Sequence, residues 1–337
     1  MKVNLLILWA LVCFISCSNE PKLLKYEGKT MGTTYHIKYS FSGKDHSAEL
    51  KLATDRTLIS LNKIMSTYIA DSEISLFNSS ASTEWVGASK ELLLVVDHAL
   101  KVGRETDGVY DPTIGPLVNL WGFGPSGQRQ VPSDIEIEKK LRSVGLDKLE
   151  VDLKKQAWKK SIGSVYVDLS SLAKGYGVDK IATLLESKGI NNYMVEIGGE
   201  VRTRGSKAGK PWVIAIESPS QKEGKNSYQR LVNLNSHAMA TSGNYRNFFK
   251  QKNKTYSHTI DYRTGRPVSH TLASVSVVDS KSCMNADAWA TALMAMGYEK
   301  GFEIAEKLNI AAYFIYKLDS MSTFAVAQTT EFRKLNL

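Results

Sequence analysis

The sequence predicts an α+β fold of largely antiparallel sheets with helices packed on them. Strand-like runs follow one another and helical runs cluster, without strict strand–helix alternation. The strand candidates are short, apolar and often β-branched, such as Val165-Tyr166-Val167-Asp168-Leu169 and Leu272 to Val278. The helical candidates carry apolar residues at helical spacing, as Leu50, Leu52, Ile59, Leu61 and Ile64 do within Ser47 to Met65.

Along the chain, Tyr26 to Tyr39 alternates in part and contains Met31-Gly32, which predicts two strand pieces about a glycine turn. Ser47 to Met65 and Lys90 to Thr106 are helices, the second ended by Asp107-Gly108. Asp111-Pro112-Thr113-Ile114-Gly115-Pro116 is expected to be irregular, because two prolines and a glycine leave no room for a ladder. Ser133 to Val144 reads as a short charged helix and Leu149 to Lys160 as a polar hairpin. Val165 to Leu169 reads as a buried strand leading into a helix over 174–188. Further strands are expected at 193–196, 212–217, 238–241, 256–261 and 272–278. Helices at 285–297 and 299–308 follow, and strands near 311–317 and 322–327 close the chain.

The N-terminus has the form of a targeting segment. Met1-Lys2 is a positive start, and Leu5 to Ile15 is an apolar run too short to span a bilayer. Ser16-Cys17-Ser18 follows, and this junction resembles a bacterial lipoprotein signal. The expectation is cleavage of residues 1–16, lipidation of Cys17, a tether over 17–26 and a folded part over 27–337. That part is one large domain or two interlocked ones. Cys13 would leave with the signal, so Cys283 is the only free thiol remaining and no disulfide within the chain is expected.

Lys and Arg total 43 against 34 Asp and Glu, a net charge of +9. The basic residues are scattered rather than striped among stacking aromatics, which argues against nucleic acid. A phosphate-bearing ligand or an anionic membrane surface accounts for the excess.

The most informative stretch is Asn285-Ala286-Asp287-Ala288-Trp289-Ala290-Thr291. A four-residue step puts Asp287 and Thr291 on one helical face. A carboxylate and a hydroxyl among small apolar residues suit Mg2+, which takes few protein carboxylates and completes its shell with water and phosphate. Taken alone, Asp287 reads more simply as a helix cap and Thr291 as a buried hydroxyl. Other segments place polar residues at strand ends and glycine turns, where backbone donors approach ligands closely. They are Asp168 to Asp179 with Ser171 and Lys174, Ile197-Gly198-Gly199-Glu200, Thr241-Ser242-Gly243, and Ser257-His258-Thr259-Ile260-Asp261. Trp121-Gly122-Phe123-Gly124 forms an aromatic-glycine surface suited to a planar ring.

Together with Thr30-Met31-Gly32-Thr33, Met65-Ser66-Thr67-Tyr68 and Phe77-Asn78, these segments give the chain a resemblance to the ApbE family of FAD:protein FMN transferases. The resemblance implies a T-fold-like architecture, FAD as substrate, Mg2+, and an acceptor protein whose Thr or Ser receives FMN while AMP leaves. It implies Asp287, Thr291 and an oxygen of Ser171 as Mg2+ ligands. Met31, Tyr68, Trp121, Gly122, Phe123, Asp168, Lys174 and Ile260 are implied as FAD contacts, and His258 as the catalytic residue. It also implies anchoring at the periplasmic face of the inner membrane and an acceptor among the subunits of membrane redox complexes. One departure is visible: Asp261-Tyr262 stands where the family often has Asp-Pro, a change expected to affect only local stiffness.

The chemistry agrees with those roles. Attack on the flavin-side phosphorus of FAD builds negative charge, which a cation and Lys174 would offset. An imidazole can take a hydroxyl proton near neutrality. Two other functions remain compatible with the sequence: an FAD pyrophosphatase releasing FMN and AMP, and a lipid-anchored flavin-binding protein.

Overall fold

The structure is a computed structural model and describes residues 21–125, 127–219, 228–244, 248–252, 254–318 and 323–337. The predicted signal segment and Cys17 lie outside the described residues.

An eight-stranded sheet is the spine of the fold. Its strands are β1 (Lys22–Thr30), β2 (Thr33–Phe41), β3 (Tyr193–Ile197), β4 (Glu200–Arg204), β5 (Ala238–Gly243), β6 (Leu272–Asp279), β7 (Ala311–Lys317) and β8 (Phe324–Gln328). Their order across the sheet is their order along the chain, and every neighbouring pair is antiparallel. The architecture is thus a meander with the rest of the chain inserted into its connections, in agreement with the predicted α+β class. β1 begins at Lys22, so residues 22–26, expected as tether, instead belong to the sheet. Their side of the ladder runs from Lys22 opposite Phe41 to Thr30 opposite Thr33. Met31 and Gly32 close that hairpin with φ of 48° and 71°. Positive φ at both central positions matches the twist of the flanking strands, at a cost for the non-glycine Met31.

The longer helices are α1 (Ser47–Met65), α2 (Lys90–Glu105), α3 (Ala173–Ser187), α4 (Cys283–Met296) and α5 (Tyr298–Lys307), of which α3 and α4 carry site residues. Alternation along the strands divides the core into two layers. Ala238, Ala240, Val275, Val277, Ala312 and Phe314 face the helices, among them α3 and α4. Met239, Val278, Tyr313 and Ile315 face the opposite way. There they pack on Ile216 and Val232 of a two-stranded ribbon (Val213–Glu217 with Tyr228–Asn233) and on Phe332 of a C-terminal helical turn. A third cluster, around Leu117, Trp121, Ile137 and Ile260, lies within the insertions.

Two local expectations are corrected. Val165 to Leu169 is largely buried but among the described residues makes a single bridge, Tyr166 with Ile114. At Val167 its backbone is satisfied by a side chain: Asn78 Nδ2 donates to Val167 O at 2.8 Å, and Val167 N donates to Asn78 Oδ1 at 2.7 Å, while Asp168 N donates to Pro112 O at 2.8 Å. The Asp111 to Pro116 loop is not wholly irregular, since a short helix spans Gly115–Leu120 with Pro116 in its first turn. Proline is tolerated there because no helical acceptor awaits its missing N–H.

Candidate active site

The junction of α3 and α4 fixes the two halves of the site. Gly175 on α3 meets the start of α4 so closely that a Cβ there would sit 2.4 Å from the Cys283 carbonyl oxygen. Asp179, one turn further along α3, accepts the backbone N–H groups of Cys283 (2.9 Å) and Met284 (3.0 Å) and the hydroxyl of Ser282 (2.9 Å). A carboxylate at a helix N-terminus satisfies orphan donors and complements the helix dipole. Arg202 pairs with Asp179 at 2.6 Å and holds it in place. The cap of α4 is Ser282, whose Oγ accepts from Asn285 N. Asp287 is therefore no cap; it sits inside the helix with its side chain directed to α3.

Asp287 Oδ2 accepts the Gly175 N–H at 3.0 Å, and the residue is 3 % exposed. Thr291 Oγ1 lies 3.5 Å from the carbonyl oxygen of Ser171 and 3.3 Å from Ser242 Oγ. Ser171 Oγ in turn meets the Tyr110 hydroxyl at 2.7 Å. Asp168 shapes the turn that presents Ser171, its Oδ1 accepting the Ser170 N–H at 2.8 Å. The acid and the two threonine and serine oxygens expected around a cation thus converge from distant parts of the chain.

Beside them stands a charged trio. Lys174 Nζ is 3.3 Å from Glu200 Oε1 and 3.9 Å from Asp287 Oδ2. Glu200 is 3 % exposed, and its Oε2 is buried with no hydrogen-bond partner among the described residues. Burial pushes the Glu200 carboxyl up to about 8, against the pull of Lys174 and with Asp287 adding to the rise. Burial likewise raises Asp287, opposed by Lys174 and by the Gly175 N–H. Burial works against the Lys174 charge, but Asp287 and then Glu200 hold it protonated well above the ordinary lysine range. Two acids share one base in a dry site, so the raised Glu200 carboxyl keeps its proton near neutrality, and a further cation would favour its release.

These groups border a cavity of about 490 Å³, within the usual range for small-molecule sites. Of the residues singled out from sequence, Asp168, Ser171, Lys174, Asp287 and Thr291 line it, and Tyr68, Phe123, His258 and Ile260 line it as well. Phe123 and His258 meet edge to face at 6.3 Å, and the Tyr68 hydroxyl donates to Phe123 O at 3.4 Å. Tyr68 is 68 % exposed, an unusual placement for a large aromatic that borders a cavity.

Met31, Trp121 and Gly122 stand outside the lining. Trp121 is buried in the third cluster, where its indole N–H donates to Gly265 O at 2.8 Å and its ring lies 5.5 Å from Tyr256. Gly122, at φ 75°, passes so near Gln128 that a Cβ would fall 2.1 Å from its carbonyl oxygen. Met31 packs against the main core. Sequence reasoning placed Glu200 at the end of the Ile197-Gly198-Gly199-Glu200 turn but gave it no role. It left out Tyr110, and Ile214, Ala215 and Glu217, which carry no local signal at all.

The donor set suits a hard divalent cation: one buried carboxylate, one hydroxyl and one carbonyl within a cavity able to admit phosphate. Among the described residues no group of three His, Cys, Asp or Glu side chains is placed to hold a softer metal.

Comparison with known proteins agrees with this reading of the fold. A profile of the ApbE family matches residues 31–314. The chain is 45% identical over 322 residues to an FAD:protein FMN transferase of Vibrio cholerae serotype O1, covering 95% of each protein. It is 40% identical to an FAD:protein FMN transferase of Haemophilus influenzae over 95% of this chain and 93% of the other. The structure of flavin transferase ApbE from Vibrio cholerae superposes with a TM-score of 0.85 at 43% identity, covering 93% of this chain and 99% of that one. The apo form of Pseudomonas stutzeri flavinyl transferase ApbE gives 0.85 at 36% identity, over 94% and 97%. With a matching profile across most of its length, relatives of this identity and a shared fold, the chain belongs to the ApbE family.

Proposed function

We propose that this protein transfers the FMN moiety of FAD to a Thr or Ser hydroxyl of an acceptor protein and releases AMP. The observation that carries this is the meeting of Asp287, Thr291 and the Ser171 carbonyl with the Lys174–Glu200 pair in one cavity. Binding a flavin alone would need no such concentration of buried charge.

In this reading the acceptor oxygen attacks the flavin-side phosphorus. A new P–O bond forms while the bond from that phosphorus to the bridging oxygen breaks, and AMP departs with that oxygen. The acceptor's proton passes to the imidazole of His258, which stands on the cavity wall against Phe123. Lys174, held protonated between two acids, presents fixed positive charge to the pyrophosphate without reorganising during the step. Phe123, Tyr68 and Ile260 give the isoalloxazine an apolar and aromatic wall. Asp287, Thr291 and the Ser171 carbonyl would hold Mg2+, which neutralises phosphate charge when bound.

The reading also includes a lipid anchor at Cys17 and residence at the periplasmic face of the inner membrane, with a redox-complex subunit as acceptor. The lipoprotein-like junction supports the anchor. Among the described residues no helix is long and apolar enough to cross a membrane. Incubating the protein with FAD, Mg2+ and an extracytoplasmic acceptor tests the activity. A covalent FMN mass on the acceptor with equivalent AMP is expected. Free FMN and AMP formed equally fast without acceptor would make it a pyrophosphatase, and intact FAD would reduce it to a flavin-binding protein.

A further inference from the structure

The net charge of +9 has two explanations in the sequence, a phosphate-bearing ligand or an anionic surface. The cavity does not hold the excess. Its lining has one lysine, Lys174, against five acids: Asp111, Asp168, Glu200, Glu217 and Asp287. The surplus of basic residues lies elsewhere, and part of it gathers at the far end of the main sheet.

Ladder pairing locates that end. Lys22 at the start of β1 stands opposite Phe41 at the end of β2. Tyr39 stands opposite Tyr193, which begins β3, and Tyr193 opposite Arg204, which ends β4. The connections beyond these strands are tied together. Asn192 O accepts the Ser40 N–H at 2.8 Å, and Asn192 Oδ1 accepts the Ser206 N–H at 2.9 Å. Lys188 ends α3 just before them, Lys44 follows Phe41, and Lys207 N donates to Lys210 O at 2.7 Å in a tight hairpin after β4.

This rim therefore carries Lys22, Lys44, Lys188, Lys207 and Lys210, all exposed, and among the described residues none of the five forms an ion pair. Arg204 is also there, paired with Glu186 at 3.0 Å. The other acids of the rim are Asp45, which accepts the Ser47 N–H, and Glu49, beside His46. Six basic residues thus meet three acids, the reverse of the balance in the cavity.

Lysines act on an anionic lipid surface only within about a Debye length of it, about 8–10 Å. The chain itself can hold them that near. With the lipid anchor proposed at Cys17, only Ser18-Asn19-Glu20-Pro21 separates the bilayer from Lys22, and the tether adds one acid. Five residue steps reach at most about 18 Å. The cavity lies the other way along the sheet. Gly198 on its wall donates to Thr34 O at 3.1 Å, and Thr34 stands opposite Lys29. From Lys22 to Lys29 an extended strand rises about 23 Å.

We propose that the rim bearing Lys22, Lys44, Lys188, Lys207 and Lys210 lies against an anionic bilayer, so that the molecule stands on this end with its cavity facing away from the lipid. This rests on the lipid anchor at Cys17 and names the face that meets the membrane. A tether alone leaves orientation free, whereas a basic rim beside the attachment point fixes it and strengthens the hold. An acidic protein on the same rim would have to fit into the gap left by so short a tether, which favours lipid as occupant. The acceptor must then present its hydroxyl about 23 Å or more from the bilayer.

The test uses the lipidated full chain in vesicles of mixed phosphatidylglycerol and phosphatidylcholine, or of phosphatidylcholine alone. An impermeant lysine-acylating reagent is added and the modified sites are read by mass spectrometry. In anionic vesicles the five rim lysines should react at least about fivefold more slowly, and about 0.5 M salt should remove the protection. Lys250 and Lys254, on a hairpin whose Phe249 packs on Phe123 of the cavity wall, should react alike in both vesicles. Lys22→Glu, Lys44→Glu, Lys188→Glu and Lys207→Glu combined should keep the parental unfolding temperature and FAD binding but lose protection at Lys210. Equal acylation of the rim lysines in both vesicles overturns the proposal. Protection that appears in neutral vesicles only with an added protein assigns the rim to that protein and also overturns it. If the mass of Cys17 shows no lipid, the anchor fails by itself. Salt-sensitive protection of the unlipidated chain by anionic vesicles would then still support the rim assignment, and its absence would sink it.

Discussion

Thr291 Oγ1 donates to the carbonyl oxygen of Ser171 across 3.5 Å, joining residues 120 positions apart in sequence. One helical turn before Thr291, Asp287 accepts from Gly175 on the helix that Ser171 introduces. The two contacts tie the Ser171 turn to α4 on one side of the cavity, so the proposed cation would be gripped by parts of the chain that folding alone brings together.

Replacing Asp287 with Ala removes the only carboxylate of that donor set. FMN transfer should fall by more than about a hundredfold, the range expected when a principal electrostatic stabiliser is lost. The apo fold should survive, because burial already disfavours the Asp287 charge and Lys174 retains Glu200. Acceptor labelling by mass spectrometry and thermal unfolding in chelator check both halves. Transfer at the parental rate would remove the metal assignment.

Glu200 makes the apo protein sensitive to pH in a definite direction. Its carboxyl titrates near 8 when folded and at the ordinary carboxylate value when unfolded. The folded state therefore holds the proton more tightly, and this contribution is complete below about pH 4.5. It is lost as pH rises toward 8. The unfolding temperature in chelator should decline across that window. Added Mg2+, which favours the deprotonated cluster, should raise it more at pH 8 than at pH 6. Calorimetric scans at several pH values with and without Mg2+ check this, and a stabilisation by Mg2+ that weakens as pH rises would contradict it.

Lys174→Met takes the counter-charge from two buried acids. Breaking a buried ion pair from one side costs about 3 kcal/mol or more, because the remaining charge has no partner. At pH 8 the variant should unfold well below the parent. At pH 5 Glu200 already carries a proton, and the difference should shrink. Denaturant titrations at the two pH values measure it, and an equal loss at both would assign Lys174 a packing role instead.

Much of this arrangement was legible from residue spacing, and the exceptions have physical causes. The Asp287–Thr291 step defines one helical face wherever the helix lies, so the pair could be read without knowing the fold. Periodicity also gave the antiparallel strands and the main helices, since their core faces are strongly apolar. It misread Val165 to Leu169, because an apolar β-branched run looks alike whether its backbone pairs with a strand or, as here, with the side chain of Asn78. The aromatic-glycine composition singled out Trp121 but carries no direction, so its burial in the third cluster had no local pattern. Its indole N–H donates to Gly265 O there.

Gly175 is the position where helix packing and the site are one thing. Its backbone N–H serves Asp287, and its missing side chain lets α3 lie against the Cys283 carbonyl. A Cβ would approach that oxygen to 2.4 Å and Met284 Cα to 2.8 Å, both backbone atoms that no rotamer change can move aside. Gly175→Ala must therefore push α3 from α4. Alanine favours helix by about 1 kcal/mol over glycine, while overpacking a tight contact costs about 1–3 kcal/mol. The net should be a modest loss of stability, visible as a lowered unfolding temperature in a protein that still folds. The larger effect should fall on activity: moving α3 draws the Ser171 carbonyl away from Thr291 and Asp287, so the Mg2+ concentration for half-maximal transfer should rise markedly. Titrating transfer against Mg2+ separates this from simple instability. A variant that is less stable yet keeps the parental Mg2+ dependence would show that the helix junction does not set the geometry of the site.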